Sequence, residues 1–182
     1  MALCLANSLL ARKGFCPYDQ LVRYKWWYQL GYMSSTGECF DIGNATRDSI
    51  ETFCRRQERL MKKENIAEAD IDYLDDPQLL KDFNVKCSQS GVAGNGALMR
   101  LAPVPLFFFR YPAIAVEYSG ISEEITHGDI KAYDACRYYG ALIVGALRGY
   151  SKKQLLDRSF CSKNKDWFSG KPLCPEIRQI AE

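Results

Sequence analysis

The chain has 182 residues, of which 47% are hydrophobic, 13% aromatic and 25% charged, a balance that suits a single globular domain over residues 1–182 with a sizeable core. Its 24 basic and 22 acidic side chains leave a formal charge of +2, so no strong field points to nucleic acid or to a membrane surface. The eight cysteines include no C-x-x-C pair, which argues against a structural zinc site and for reduced thiols in a cytoplasmic protein.

In chain order the periods are helical almost throughout. Ala2 to Arg12 sets Leu5, Leu9 and Leu10 on one side and stops before Gly14. Its apolar part is short and lacks a basic start, so it reads as a buried helix and not a signal peptide. Pro17 and Asp19 open a second helix in which Tyr18, Val22, Trp26 and Leu30 repeat at four, widened by Leu21, Tyr24, Trp27 and Tyr28. Gly31 to Asn44 has neither period and reads as an ordered loop, in which Asp41 either braces the backbone or projects a carboxylate into a site. Asn44 or Thr46 is placed to cap the next helix, which runs to about Lys63. From about 62 to 90 the chain is charged, with Asp70, Asp72, Asp75 and Asp76. It lacks the glycine and closing glutamate of a calcium loop and reads as a solvated insertion with short helices, one of them starting at Asp76-Pro77.

Gly91-Val92-Ala93-Gly94-Asn95-Gly96 then opens onto an apolar helix start. Three glycines allow positive φ and close approach of the backbone to a ligand, and a helix start presents free N–H groups and a positive dipole end. That pairing suits an anion such as a diphosphate; a plain turn ending a polar loop is the alternative. Ala97 to Phe109 is apolar and broken by Pro103 and Pro105. A long helix through Arg148 follows Thr126-His127-Gly128-Asp129, in which Thr126 and Asp129 have capping-box spacing with Asp in place of Glu. Ala132, Cys136, Tyr139, Ile143 and Leu147 form its apolar stripe, and short helices near Lys152 to Arg158 and Pro175 to Ala181 complete the chain. The longest apolar run, Ala141 to Leu147, is far below the roughly 18 residues that span a bilayer.

His127 is the only histidine. At a helix N-terminus its charged form is disfavoured, which suits a neutral imidazole that hydrogen-bonds a ligand. A zinc site built from several histidines is excluded, and any Ser-His-Asp or Cys-His arrangement must use His127. The glycine stretch lacks the Walker lysine and a preceding strand, which disfavours both common nucleotide folds.

Four stretches taken in order, Tyr32-Met33-Ser34-Ser35-Thr36-Gly37, Phe40-Asp41-Ile42-Gly43-Asn44, Gly94-Asn95-Gly96-Ala97-Leu98-Met99-Arg100-Leu101-Ala102-Pro103 and Thr126-His127-Gly128-Asp129, resemble the ADP-ribosylglycohydrolase family. The likeness is nearest to its bacterial dinitrogenase-reductase-activating glycohydrolase branch. The resemblance implies an all-α orthogonal multi-helix bundle that hydrolyses the glycosidic bond between ADP-ribose and a protein side chain, commonly arginine. It makes Gly94, Asn95 and Gly96, with Ala97 and Met99, a cradle for the diphosphate and ribose, and gives His127 a contact to the bound ADP-ribose. Asp41 is then expected to hold the guanidinium or assist proton transfer, with Asn44 beside it.

The family also carries two acidic metal motifs, one ahead of the helix that here starts the chain and one in a segment that would follow Glu182. They hold two magnesium or manganese ions, and neither motif occurs in this sequence. No metal ligand is therefore assigned, and the chain is expected to be a bundle truncated at both ends, whose partner is ADP-ribose or an ADP-ribosylated protein and whose hydrolysis belongs to the complete protein. The alternatives are a non-catalytic ADP-ribose-binding module, a half completed by a partner chain, and self-association through exposed helix faces.

Overall fold

A computed structural model describes residues 1–182. The chain forms eleven α-helices and two 3₁₀ turns, with one isolated backbone bridge between Ser90 and Gly128, the all-α class that the helical periods predict.

Helix α1 (Ala2–Ala11) buries Cys4, Leu5, Ser8 and Leu9. Leu10, expected beside them, is 67% exposed, because consecutive residues are turned by about 100° around a helix. Helix α2 (Pro17–Leu30) starts at its proline and buries Tyr18, Leu21, Val22, Tyr24 and Trp27. Leu30, predicted as the last member of the repeat, is exposed where the helix ends at Gly31. Gly31 has φ +66°, and a Cβ there would lie 2.0 Å from the Gly37 carbonyl oxygen, so only glycine lets the chain fold back into the 31–43 loop.

Helix α3 (Asn44–Glu64) has Gly43 as its N-cap and no side-chain cap, so neither Asn44 nor Thr46 plays the capping part that its residue type suggests. Asn44 already lies in the first turn, and Thr46 is buried. The 65–90 segment is mostly exposed, Asp70, Asp75 and Asp76 included, but it is anchored to the core at a few points. Ile71, Leu74 and Cys87 are buried in it, and Asp72 pairs with Lys25 and accepts from Trp26 Nε1 at 2.7 Å and Gln57 Nε2 at 3.0 Å. A carboxylate that looked free for solvent thus ties a 3₁₀ turn (Ile71–Tyr73) to α2 and α3. Helix α4 (Pro77–Asp82) begins as expected, with Asp76 Oδ1 accepting from the amides of Gln78 and Leu79.

Pro103 splits the apolar 97–109 stretch into α5 (Gly96–Arg100) and α6 (Pro103–Phe108). Helix α7 (Pro112–Glu124) goes beyond the sequence reading, and it packs closely on α8 (Ile130–Leu147). That packing shifts the buried face of α8 off the expected stripe. Tyr139 and Leu147 are exposed, while Gly140, Ala141, Val144 and Gly145 face inward, because a Cβ at Gly140 would meet Ser119 Oγ of α7 at 2.4 Å. Asp129 caps α8 by itself, accepting from the Lys131 amide at 2.7 Å, so the Thr126–Asp129 capping box does not form. Helix α9 (Lys152–Leu155), α10 (Phe160–Lys163), a 3₁₀ turn (Lys165–Phe168) and α11 (Pro175–Ala181) complete the chain.

One core cluster gathers α1, α2 and α3 with Ala97, Leu101, Val104, Ile125 and Cys136; a second joins α7 and α8 to Phe160, Phe168, Leu173 and Ile177 of the tail. All eight cysteines are free thiols. No helix is long and apolar enough to cross a membrane.

Candidate functional site

Three separate stretches meet because backbone groups stitch them together. Gly91 N–H donates to the Gly128 carbonyl at 3.1 Å, and Gly128 N–H donates to the Val92 carbonyl at 3.1 Å. The approach is so close that a Cβ on Gly128 would lie 2.1 Å from the Gln89 carbonyl oxygen, a space that only glycine leaves open. Ser49 Oγ of α3 donates to the Thr126 carbonyl at 2.9 Å, bringing the start of α3 to the same place. The result is a cavity of about 970 Å³ whose walls are the start of α1, the 33–46 segment, the 93–100 segment and His127.

Asp41, Asn44, Gly94, Asn95, Gly96, Met99 and His127 all line this cavity. Ala97 does not: it is 2% exposed and packs into the core cluster of α1, α2 and α3. Of the three glycines, Gly91 alone has positive φ. Gly94 and Gly96 serve by being small, since a Cβ would stand 3.3 Å from His127 Nε2 at Gly94 and 3.4 Å from Thr46 Oγ1 at Gly96. In the facing loop Met33, with φ 58°, and Asp41, with φ 49°, both take the left-handed conformation, a geometry that Asp tolerates better than most side chains.

The chemistry of the cavity is dominated by unpaired donors. The amides of Ala93, Gly94, Asn95, Gly96, Ala97 and Leu98 have no acceptor within the chain, and neither do those of Asn44, Ala45 and Thr46 at the start of α3. The sequence places the helix terminus only at α5, a five-residue helix, whereas the 21-residue α3 brings its own N-terminus to the same cavity. Free N–H groups on a glycine loop and at a long helix start are the kind of donors that an anion's oxygens accept from.

His127 is 2% exposed, and its amide donates to the Glu123 carbonyl at 3.0 Å. It therefore continues the C-terminal turn of α7 and does not stand at the N-terminus of α8, as its position in the sequence suggests. The negative end of α7 favours a charged imidazole, so the dipole is not what keeps it neutral. Burial does, with the Arg100 guanidinium adding to it: together they pull the pKa down to about 4. Nδ1 lies 2.9 Å from Thr126 Oγ1, while Nε2 has no partner in the chain.

Arg100 is a residue of the site that the sequence reading passes over. It is 2% exposed, lines the cavity, and donates through Nη2 to Thr126 Oγ1 at 2.6 Å and the Ser122 carbonyl at 2.9 Å and through Nε to Tyr24 Oη at 3.1 Å. The signal was present: Arg100 is the only charged side chain between Ala97 and Phe109. Glu123 lies within its field, buried, with both carboxylate oxygens unpartnered and its pKa pushed up to about 8 chiefly by burial.

Asp41 is the only carboxylate that lines the cavity, and nowhere in the structure do three or more His, Cys, Asp or Glu side chains converge in a way that could hold a metal ion. The residues of this chain do not by themselves make the two-cation site that the resemblance implies.

Comparison with known proteins shows the family of the chain. The family model described as ADP-ribosylglycohydrolase matches residues 1–182. A protein named ADP-ribosylarginine hydrolase Tri1 from Pseudomonas putida (strain GB-1) is 32% identical over 160 residues, covering 86% of this chain and 36% of its own length. Its namesake from Serratia proteamaculans (strain 568) is 26% identical over 157 residues, covering 85% of this chain and 36% of its own length. The chain thus spans little more than a third of these relatives. No solved structure matches it. With a family match over its whole length and an all-helical fold, the chain belongs to the ADP-ribosylglycohydrolase family.

Proposed function

We propose that this chain carries the ADP-ribose-binding face of a hydrolase that removes ADP-ribose from arginine side chains. The observation that carries the reading is the pair of unpaired amide runs, Ala93 to Gly96 and Asn44 to Thr46, on residues that line one cavity beside a neutral imidazole. A diphosphate needs many donors without bulky side chains, and backbone amides supply them with no entropy cost of side-chain ordering. Asn95, whose side chain has no partner in the chain, adds an amide for the ribose or phosphate oxygens. Asp41 offers a carboxylate to a guanidinium across the cavity. The names of the two relatives favour arginine as the modified residue.

With Asp41 as the cavity's only carboxylate, the chain alone is expected to bind better than it cleaves, as a module completed by further chain or a partner. Two measurements test these readings. Titration calorimetry with free ADP-ribose should show uptake that Asn95→Ala weakens about five-fold, the worth of one hydrogen bond, and a flat wild-type titration would remove the binding reading. Turnover of ADP-ribosylated arginine by the purified chain with magnesium or manganese would overturn the separation of binding from cleavage.

A further inference from the structure

We propose that Arg100 is a positioning residue for His127: acting through Thr126, it selects the tautomer in which Nδ1 accepts a hydrogen bond and Nε2–H faces the cavity. The hydrogens around one hydroxyl decide the tautomer. Thr126 Oγ1 receives Arg100 Nη2 at 2.6 Å, so its own hydrogen must go elsewhere. Two acceptors are in reach, His127 Nδ1 at 2.9 Å and the Glu123 carbonyl at 3.4 Å. That carbonyl already accepts the amides of Thr126 at 2.9 Å and His127 at 3.0 Å, which fills both of its lone pairs. The hydroxyl hydrogen therefore goes to Nδ1, and a neutral ring with an accepting Nδ1 carries its hydrogen on Nε2. The guanidinium acts in the same sense, because a positive charge beside Thr126 disfavours a second N–H pointed at that oxygen.

The relay is built on rigid supports. Tyr24 Oη of α2 and the Ser122 carbonyl of α7 hold Arg100, and Ser49 Oγ of α3 holds the Thr126 carbonyl. Nε2 lies against Gly94, within the run of free amides, so its hydrogen adds a side-chain donor to a row of backbone donors. This extends the ADP-ribose reading and rests on it only for the identity of the acceptor: a donor at Nε2 takes a phosphate or ribose oxygen, whereas a bare Nε2 would demand a hydroxyl hydrogen.

Because the chain has a single histidine, labelling the full protein with ¹⁵N-histidine gives one imidazole, and long-range ¹H–¹⁵N correlation reads its tautomer directly. The wild type should show an unprotonated Nδ1 and a protonated Nε2 from pH 6 to 9. A protonated Nδ1, or an even mixture, overturns the proposal. Thr126→Val keeps the shape and removes the hydroxyl, and should mix the tautomers, while Thr126→Ser should preserve the wild-type pattern; an unchanged pattern in the valine variant overturns the relay. Arg100→Lys, which removes the Nη2 donor, is a second variant with the same expected mixing, and it decides the question if the valine protein does not fold. ADP-ribose affinity should fall about five-fold in Thr126→Val and stay within two-fold in Thr126→Ser. If the wild type takes up no ADP-ribose the functional reading falls, and the resonances still decide the tautomer.

Discussion

Replacing Glu123 by glutamine should abolish a loss of stability that the wild type suffers as pH rises from 4.5 to about 8. Glu123 is 1% exposed, both of its carboxylate oxygens lack partners, and its pKa rises from 4.5 to about 8 because burial penalises the charged form, with Glu124 and Asp129 opposing it further and Arg100 only partly compensating. Between pH 4.5 and about 8 the native chain keeps a proton that the unfolded chain has released, so stability falls as pH rises through that window. At about 1.4 kcal/mol for each pKa unit the limit is about 5 kcal/mol, and small movements of Arg100 or entry of a water reduce this to about 2–3 kcal/mol. Urea denaturation of wild type and Glu123→Gln at pH 5, 7 and 9 measures it. The wild type should lose about 2–3 kcal/mol between pH 5 and 9 relative to the variant, whose side chain does not titrate. Taking this difference between pH values cancels any fixed cost of burying the glutamine amide. Parallel curves would refute the assignment of a protonated, unpartnered carboxyl at this position.

On the acid side, His127 has the opposite effect. Its pKa falls from 6.5 to about 4, so the unfolded chain takes up a proton that the native chain refuses, and stability is lost as pH falls through that window. The loss is limited to about 3 kcal/mol and should be absent from His127→Asn; denaturation curves at pH 7 and 4.5 that shift equally in both proteins would contradict it. In the second core cluster, Asp134 accepts from Arg137 Nη1 at 2.9 Å and from the Cys174 amide at 2.6 Å, and both members of the ion pair are buried. Asp134→Ala should cost about 3–5 kcal/mol at pH 7 by leaving Arg137 uncompensated, against near-zero change for Lys163→Ala in the exposed pair with Asp157.

What could be read from the sequence follows from which forces are local. Pro17, Asp76 and Pro77 announce helix starts through their own backbone chemistry, and the structure places starts there. The aromatic stripe of α2 needs only its 3.6-residue period. The errors fall where a partner decides. Tyr139 and Leu147 continue the period of α8 perfectly and are nevertheless exposed, because the small residues Gly140 and Gly145 let α7 and the tail approach on an adjacent face. Asp72 looks solvated until Lys25, Trp26 and Gln57 from two other helices are known to surround it. From the residues alone the cavity is legible only as separate pieces, Asp41, Asn44, the glycine stretch and His127, and only the family resemblance brings them to one ligand. Their meeting depends on the Gly91–Gly128 backbone bonds, which leave no mark in either segment's pattern.

The location of the polar residues explains why the cavity can be a precise binding surface in a chain built mostly from short helices. Gln20, Ser49, Arg100, Ser122, Thr126 and His127 are all buried, and hydrogen bonds link most of them to Arg100 and His127, which line the cavity. An apolar floor would be more stable but would fix no directions, since apolar contacts tolerate rotation whereas hydrogen bonds do not. The layer is not fully satisfied: Gln20 Nε2, Arg100 Nη1 and both Glu123 oxygens have no partner in the chain. Unmet groups of this kind each cost about 1–3 kcal/mol, so stability is given up beneath the site in return for donors held in place. The orphaned Nη1 belongs to a residue that lines the cavity, and the orphaned carboxylate lies in that same guanidinium's field. An anionic ligand in the cavity would therefore strengthen the field on Arg100 from the ligand side, and binding should raise stability more than the free amides alone would give. Glu123→Gln provides the comparison: above pH 8, where the wild-type carboxyl has ionised, ADP-ribose should stabilise the variant more than the wild type, whereas at pH 6, where Glu123 keeps its proton, the two should gain equally.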